Sequence, residues 1–413
     1  MYRTYPFILI PSLLAGTLFA QSRSVDVDSL IQFAFENHPR LQVADSDSEA
    51  ARQQTLQAGR LPDPEVAWGY FLERMDTRQN LSVRQAFPWP GTRASQRESA
   101  RLSGEAVQTL SDLRRLELAQ ELREAYWKWG FEMEVLDLLQ RHILLVRPMV
   151  DVVENRVAND QARASELLRM ELILDELEDS MASQGARIDV ALNRLKRAMG
   201  LSDQAAFDFV PEASLWDELS PTKLAAELPS DHPWIEQYVY RERAADEAER
   251  ATRYGNRPRW MLGAEWMDNA GPAKDEVMVM VSFSVPIWRE SNAASIAESR
   301  ARSRSARAQR SDAEAEWREQ WSSAYRQYED ARRKADRYRS RLIPRGEDAL
   351  EAEIEAYSSG RGDLLSLLET QRLLLDLERE ALNARLELHL SRTGLQFLSG
   401  ENPVEPQFST PNF

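Results

Sequence analysis

The residues best suited to acid–base or metal chemistry are scattered along the chain. The four histidines, His38, His142, His232 and His389, have no second ligand at the spacing of a zinc site. His38 and His232 each precede a proline, which indicates the start of a helix. There is no cysteine, and we find no phosphate-binding glycine loop, nucleophile elbow or HExxH motif. We therefore predict no catalytic residue, no cofactor and no resident metal, and we expect that the chain is not an enzyme.

Four methionines form the one pattern of soft ligands. Met261, Met267, Met278 and Met280 fall on the same face of two predicted strands, and thioether sulfur is a ligand suited to Cu(I). Methionine also fills tapered or irregular spaces without binding anything. We interpret the four as space-filling residues, and a copper site is the alternative.

Charge and hydropathy restrict the class of protein. The formal net charge of −15 argues against a nucleic-acid partner, which would require a basic face. Residues 1–20 combine a basic start, an apolar run and small residues near Ala20, so we predict a secretory signal peptide. No later stretch is apolar for long enough to be a transmembrane helix, so crossing a membrane would require β-strands.

The remaining sequence contains two similar halves. The Asn-His-Pro of residues 37–39 returns as Asp-His-Pro at 231–233, and the Phe-Pro-Trp of 87–89 returns as Val-Pro-Ile-Trp at 285–288. In the last predicted helix of each half, apolar residues recur every seven positions, which is the period that supercoiled helices require. Its positions are Leu167, Leu174, Met181, Ile188 and Leu195 in the first half, and Leu367, Leu374, Ala381, Leu388 and Leu395 in the second.

The distribution of proline predicts long helices. From residue 91 only Pro148 precedes Pro211, and from residue 287 only Pro344 precedes Pro403. Each segment is predicted to form an outgoing helix of about 65 residues, a turn, and a returning helix of about 35. Pro148 and Pro344 are predicted to kink the outgoing helices. A further helix precedes the strands of each half, over 28–57 and from Pro221 or Leu224 to Thr252.

Each half also has two alternating segments that predict strands. In the first, Val66, Trp68, Tyr70 and Leu72 share a face, and the opposite face has Ala67, Gly69 and Phe71. One apolar, aromatic face opposite a small or polar one is typical of the wall of a membrane β-barrel, although a soluble sheet packed on a core has a similar pattern. Two hairpins separated by long helices favour the barrel. Because a barrel needs about eight strands, a chain with four must assemble with copies of itself.

Prolines and aromatic residues mark the end of the second and fourth strands. After Phe87, prolines prevent the strand from continuing, a glycine allows the backbone to turn, and a tryptophan falls where a membrane-interface aromatic belt would lie. We predict joints between barrel and helical tunnel, at the periplasmic edge of the membrane, at Pro88, Trp89, Pro90, Gly91, Pro286 and Trp288.

From Asp28 to Gly400 the chain resembles the TolC-like outer-membrane efflux channels, and within them the branch of heavy-metal efflux systems. The resemblance rests on the order and spacing of ENHPRL, AGRLPDPEV, PGTR and the turn segment AYSSGRGDLLSLLETQ. It implies a homotrimer with a twelve-stranded barrel in outer-membrane lipid and a long periplasmic tunnel. It also implies a periplasmic adaptor and an inner-membrane pump as partners, with passive export of a substrate. The branch it resembles suggests heavy-metal cations, and drugs, dyes or secreted small molecules are the alternatives.

The resemblance further implies that the helical tips carry the functional residues. The turns over 157–165 and 357–365 would meet the adaptor, through Val157, Asn159, Asp160, Tyr357, Gly360 and Gly362. The acidic gate positions of the family correspond here to Ser366 and Glu369. Because Ser366 departs from the common aspartate, Asp363 is the predicted substitute, and Glu369 is alternatively an ordinary solvated residue. Arginines predicted to pair with these acids and hold the tips closed are Arg361, Arg163 and Arg169.

The expected fold class is mostly α with a membrane β-barrel part, built from two tandem repeats of long coiled-coil helices. The first repeat spans 21–200 with a strand hairpin at 63–88, and the second spans 222–400 with a hairpin at 259–287. A linker at 201–221 joins them in the equatorial region, and a tail follows at 401–413. A second hypothesis is a soluble periplasmic coiled-coil scaffold or adaptor, which would need no lipid-facing strands.

Overall fold

The computed structural model describes residues 23–72, 77–207, 209–211, 232–269 and 275–400. The predicted signal peptide, the start of a helix at Pro221 or Leu224, the end of the linker and the tail at 401–413 lie outside these residues. We number the strands β1 (Arg23–Val25), β2 (Glu65–Tyr70), β3 (Thr77–Phe87), β4 (Phe209–Pro211), β5 (Arg259–Asn269) and β6 (Glu276–Ser284). The helices are α1 (Val27–Asn37), α2 (Pro39–Gln57), α3 (Thr92–Ala158), α4 (Ala164–Ala198), α5 (Pro233–Gly255), α6 (Arg289–Arg337), α7 (Ile343–Ser358) and α8 (Leu364–Ser399).

The expectation of a mostly helical chain with a smaller β part is confirmed. Helix α3 has 67 residues and contacts α2, α4, α5 and α8, so it forms the central element of the molecule. Helix α6 packs between α5 and α8. None of the described helices is both long enough and apolar enough to cross a lipid bilayer.

The single helix predicted over 28–57 is wrong, because the structure divides it at His38. A residue before proline is disfavoured in the helical conformation, and His38 is extended with φ −73° and ψ 124°. Its Nδ1 accepts the backbone N–H of Arg40 at 3.1 Å and caps α2. His232 likewise caps α5 by accepting from Trp234 N–H at 3.1 Å, so α5 begins at Pro233 and the predicted helix does not pass through residue 232.

A short parallel sheet was not expected from the sequence. Strands β1 and β4 pair from Arg23↔Phe209 to Val25↔Pro211, and β4 lies within the part of the chain assigned to a linker. The hydroxyl of Tyr126 in α3 donates to the Val25 carbonyl at 3.0 Å. This sheet therefore fixes both the beginning of α1 and the chain after α4 to the middle of α3.

Three hydrophobic clusters form the core along the length of the helices. The first joins α1, α3 and α4 around Leu30, Leu122 and Leu195, and the third joins α6 and α8 around Trp317 and Leu395. The second joins α3, α4, α7 and α8 near the two turns at 158–164 and 358–364. All five positions of the second apolar seam are buried, whereas the first seam is mostly half-buried in a single chain.

The two prolines predicted to kink the outgoing helices have different effects. Helix α3 continues through Pro148. Before Pro344, however, Tyr338–Leu342 form a π-helical turn between α6 and α7. Proline lacks an N–H, and its ring clashes with the carbonyl four residues earlier, so a wider turn at this point relieves the clash.

The four longer strands form one antiparallel sheet in the order β2-β3-β5-β6. The strands end at Tyr70 and Ser284, before the predicted Leu72 and Val285. The register gives one face that we call the apolar face, with Val66, Trp68, Tyr70, Leu81, Val83, Phe87, Trp260, Leu262, Ala264, Trp266, Val277, Val279, Val281 and Phe283. The opposite, polar face carries Ala67, Gly69, Asn80, Ser82, Arg84, Met261, Gly263, Glu265, Met267, Glu276, Met278, Met280 and Ser282.

Candidate functional site

Two tight turns form one end of the helical part. Helices α3 and α4 are joined by residues 159–163, and α7 and α8 by residues 359–363. Asp160 and Gly360 occupy equivalent positions, with φ of 54° and 75°. Asn159, Asp160 and Gly360 are exposed, whereas Val157 is half-buried. The two turns therefore present polar, solvent-accessible tips on a well-packed apolar base.

Tyr357 holds the two tips together. Its side chain is 5% exposed, and the guanidinium of Arg156 lies 4.4 Å from its ring centroid. Arg156 Nη1 donates to the Tyr357 carbonyl at 2.6 Å, and the Tyr357 hydroxyl donates to Glu166 at 3.4 Å. Burial raises the pKa of Tyr357. We call Arg156, Glu166 and Tyr357 the tip clamp. Because these contacts bury Tyr357, little of its side-chain surface is accessible to a docking partner.

The sequence did not identify the other members of the tip clamp. Arg156 and Glu166 flank the first turn, and Tyr357 precedes the second, about 200 positions away in the chain. Nothing in their local spacing distinguishes them from other charged residues on a solvated helix. Only the packing of α3 and α4 against α7 and α8 brings them together.

Several predicted tip residues shape the second turn. The Asp363 carboxylate accepts the backbone N–H of Leu365 at 3.2 Å and caps α8. Arg361 Nε donates to the Ser359 hydroxyl at 3.0 Å. A Cβ on Gly362 would lie 2.7 Å from the Tyr357 nitrogen and 2.9 Å from the Ala356 carbonyl carbon, so only glycine fits without a backbone shift. These residues position the turn whether or not a partner binds it.

The predicted gate acid Glu369 lies on an exposed stripe of α8. Ser366 and Glu369 are both exposed on consecutive turns, and Asp376 follows seven residues after Glu369 on the same side of the helix. Residues seven apart lie on one face of a supercoiled helix. We call Glu369 and Asp376 the acidic stripe. The sequence analysis missed Asp376, although heptad spacing from Glu369 would have located it.

The predicted arginine pairs do not form within one chain. Among the described residues, no ion pair joins Arg163, Arg169 or Arg361 to an acid. The backbone N–H of Arg163 donates to Glu166 at 3.4 Å, at the start of α4, and Arg169 is exposed. Pairing of these arginines with Asp363 or Glu369 thus stays a prediction for contacts between copies of the chain.

Further from the tips, a buried polar network joins α3 to α8. His142 is 4% exposed, and its Nε2 forms a short hydrogen bond with the Glu378 carboxylate. Its Nδ1 lies 3.2 Å from Gln371 Nε2, and Arg141 forms an ion pair with Glu378 at 3.5 Å. Because Nδ1 accepts from the amide, Nε2 carries the proton that Glu378 accepts. Both ring nitrogens of His142 therefore have hydrogen-bond partners at the interface between α3 and α8.

The predicted joints connect the sheet to the long helices. Gly91 precedes α3 with φ 93°, and a Cβ there would lie 3.1 Å from the Tyr254 ring. The guanidinium of Arg257 lies 5.3 Å from the Trp89 ring centroid, and Phe87 stacks on Trp260 at 4.6 Å. Pro88 is half-buried, Pro90 is exposed, and both Pro286 and Trp288 are exposed before α6. The first joint is thus packed against the second half, while the second is open.

The polar face of the sheet also places the four methionines together. All four belong to β5 and β6, and Glu265 lies among them, accepting a hydrogen bond from Asn80 Nδ2 at 2.5 Å. In the described part of the chain, no three histidine, aspartate or glutamate side chains are grouped so that they could hold a metal ion.

No protein-family model matches the chain, and no curated protein resembles it in sequence. Solved structures do resemble it. The outer membrane protein VceC from Vibrio cholerae matches with a TM-score of 0.77 at 16% identity, over 91% of this chain and 96% of that chain. CusC, from a study of transmembrane channel formation, matches at 0.77 and 15% identity, over 97% and 99%. The open state of the Neisseria gonorrhoeae MtrE outer membrane channel matches at 0.73 and 18%, over 96% and 98%.

These similarities extend over nearly the whole chain and nearly the whole of each matched channel. The mostly helical chain with a smaller β part that the resemblance implies is confirmed, whereas the twelve-stranded trimeric barrel stays a prediction. Identities this low do not distinguish a heavy-metal branch. The chain therefore has the fold of these outer-membrane channel proteins.

Proposed function

We propose that the chain is the outer-membrane exit duct of a tripartite efflux system, assembled as a homotrimer. The observation that supports this most directly is the four-stranded sheet, whose apolar face is largely exposed. Among the described strands, β2 and β6 each have one edge without a partner. In lipid, unpaired backbone groups cost several kcal/mol each, so these edges require strands from other copies. Three chains would supply twelve strands, more than the roughly eight that close a barrel.

The helices would form a periplasmic tunnel from two tandem repeats, at 21–200 and 222–400. The matching ends of the two halves support this division. Gly200 and Gly400 both have positive φ, and a Cβ on either would lie 3.2 Å from the ring of His38 or His232 respectively. In each half, the histidine that caps the helix before the strands (α2 or α5) therefore lies against the glycine that follows the returning helix (α4 or α8). A signal peptide at 1–20 would direct export, and the linker would lie near the middle of the tunnel.

The helical tips would dock with a periplasmic adaptor, which connects the duct to an inner-membrane pump. Exposed residues at both turns, the polar Asn159 and Asp160 and the backbone at Gly360, support a docking role. The shared apolar cluster beneath them would keep the two turns in a fixed relation. The duct itself would be passive and not an enzyme, since the pump supplies the energy.

Heavy-metal cations are the cargo that we propose. The support is the sequence resemblance together with the acidic stripe of Glu369 and Asp376. Repeated by threefold symmetry around a narrow mouth, these carboxylates would concentrate negative potential and favour cations over anions. Asp363 and Ser366 would lie at the same mouth.

Fractionation and conductance test the proposed function. We expect the full chain to be recovered from outer-membrane fractions, to run as a trimer after cross-linking, and to show heat-modifiable migration. In planar bilayers the purified trimer should give discrete single-channel steps. A soluble monomer without conductance would contradict the proposal and would favour a periplasmic scaffold.

A further inference from the structure

Methionine is concentrated on one small patch of the sheet. The chain has 11 methionines, and four of them, Met261, Met267, Met278 and Met280, lie on the polar face of β5 and β6. The other described residues of this face include Asn80, whose amide bonds to Glu265, and several serines. The polar face of a duct wall would meet water, so four apolar side chains there require an explanation.

Within a single chain, these methionines lie outside the hydrophobic core. None of the four belongs to the hydrophobic clusters of the described residues. Met278 is 42% exposed, and the other three are half-buried. A methionine that fills a core would be enclosed by apolar neighbours. A single chain therefore gives these methionines no core to fill, which favours ligand chemistry as the alternative explanation.

The strand register arranges two thioethers and two carboxylates as a square. Glu265 pairs with Met278, and Met267 pairs with Glu276. The thioethers thus occupy one diagonal and the carboxylates the other. Directly opposite residues have Cβ atoms about 5 Å apart, and diagonal neighbours about 7 to 8 Å, which long side chains can span. The Asn80 amide holds the Glu265 carboxylate in place at 2.5 Å.

A second pair of thioethers adjoins this square. Met280 pairs with Gly263, and Met261 pairs with Ser282, so the two methionines are diagonal neighbours. A Cβ on Gly263 would lie 3.8 Å from the Met280 Cβ. The Arg84 side chain covers Gly263, because its Cγ would lie 3.3 Å from the same Cβ position. All four sulfurs therefore belong to one continuous surface.

We propose that this surface is a binding site for a soft monovalent cation, Cu(I) or Ag(I). Met267 and Met278 supply neutral, soft sulfur ligands, and Glu265 and Glu276 supply negative charge. Thioether sulfur selects Cu(I) over hard divalent cations, which take oxygen ligands. The proposal deepens the proposed function by naming the class of cargo, and it rests on that function for the direction in which the polar face points.

Silver binding by the full-length protein tests the site. Ag(I) nitrate in chloride-free buffer is the probe, measured by titration calorimetry and by X-ray absorption for Ag–S contacts. We expect Ag(I) to bind through sulfur and Met267→Leu/Met278→Leu to weaken binding roughly 10- to 100-fold. The matched control, Met149→Leu/Met181→Leu, removes two thioethers from the helices and should bind Ag(I) as the wild type does.

Two results would overturn the proposal. One is unchanged Ag(I) affinity in Met267→Leu/Met278→Leu, and the other is a metal shell without sulfur. Conductance of the same preparations separates this proposal from the proposed function. A conducting trimer that fails to bind Ag(I) through sulfur contradicts the cation site alone. A protein that binds Ag(I) through these methionines without conducting contradicts the duct and leaves the site standing.

Discussion

At the scale of single residues, the buried His38 and His232 each cap the start of a helix. His232 Nδ1 accepts the Trp234 N–H, and its Nε2 lies 2.9 Å from the Phe397 carbonyl. Since a carbonyl only accepts, Nε2 must carry the proton and the ring is neutral. The imidazole also lies 4.1 Å from the Trp317 ring centroid. Burial lowers the pKa of His232 to about 4, and burial also lowers the pKa of His38.

This depressed pKa predicts a loss of stability in mild acid. Between the unfolded value of 6.5 and the folded value of about 4, the unfolded chain takes up a proton that the folded chain does not. The free energy of unfolding therefore falls as pH falls through this window, by about 3 kcal/mol in total. In His232→Asn, which keeps an N-cap acceptor, denaturant unfolding should show a smaller fall over the same range. An unchanged pH dependence would contradict this assignment.

The tip clamp predicts a local effect of a single arginine. Arg156→Gln removes the cation–π contact with Tyr357 and weakens the hydrogen bond to its carbonyl. Such contacts contribute on the order of 1 kcal/mol each. We expect faster hydrogen exchange of backbone amides over 355–362. Arg169→Gln, which changes an exposed arginine on α4, is the control and should leave that exchange unchanged; equal rates in both variants would argue against the clamp.

At the scale of elements, two glycines in the helical hairpins differ in whether a side chain would fit at their position. A Cβ on Gly362 would overlap the backbone of residues 356 and 357, whereas a Cβ on Gly185 has no atom within 4 Å. Gly185 lies inside α4, where alanine is favoured by roughly 0.5 to 1 kcal/mol. We expect Gly185→Ala to raise the unfolding midpoint and Gly362→Ala to lower it. The same direction of shift in both variants would show that the turn tolerates a side chain.

Much of the element order was predictable because the relevant signals are local. The proline distribution and the seven-residue seams predict long outgoing and returning helices, and α3 ends and α4 begins within a residue or two of the limits of the expected turn at 157–165. The sequence signals a helix start after His38 and His232, because both precede proline, yet the helices predicted over 28–57 and up to Thr252 run past these residues. Strands β1 and β4 were missed because three-residue strands have no measurable period. The tip clamp depends on partners about 200 positions apart, which no local pattern reveals.

At the scale of the whole molecule, the two ends of the chain's fold differ in character. One end is a sheet with a largely exposed apolar face and two unpaired edges. The other end is a pair of polar turns over a buried apolar cluster. The first end suits lipid and copies of the chain, and the second suits a soluble protein partner. Helix α3 connects the two ends without interruption, so the packing of one chain holds them at a fixed separation.

The acidic stripe predicts how the assembled duct selects ions. If three copies of Glu369 surround the mouth, Glu369→Gln removes three negative charges from a narrow constriction, where their potential adds. We expect the cation-over-anion permeability ratio in planar bilayers to fall, and the variant Glu369→Gln/Asp376→Asn to lower it further. Asp189→Asn, an exposed acid of α4 far from the turns, removes the same charge and should change the ratio little. Equal ratios in all three variants and the wild type would show that the stripe is merely solvated and that selectivity arises elsewhere.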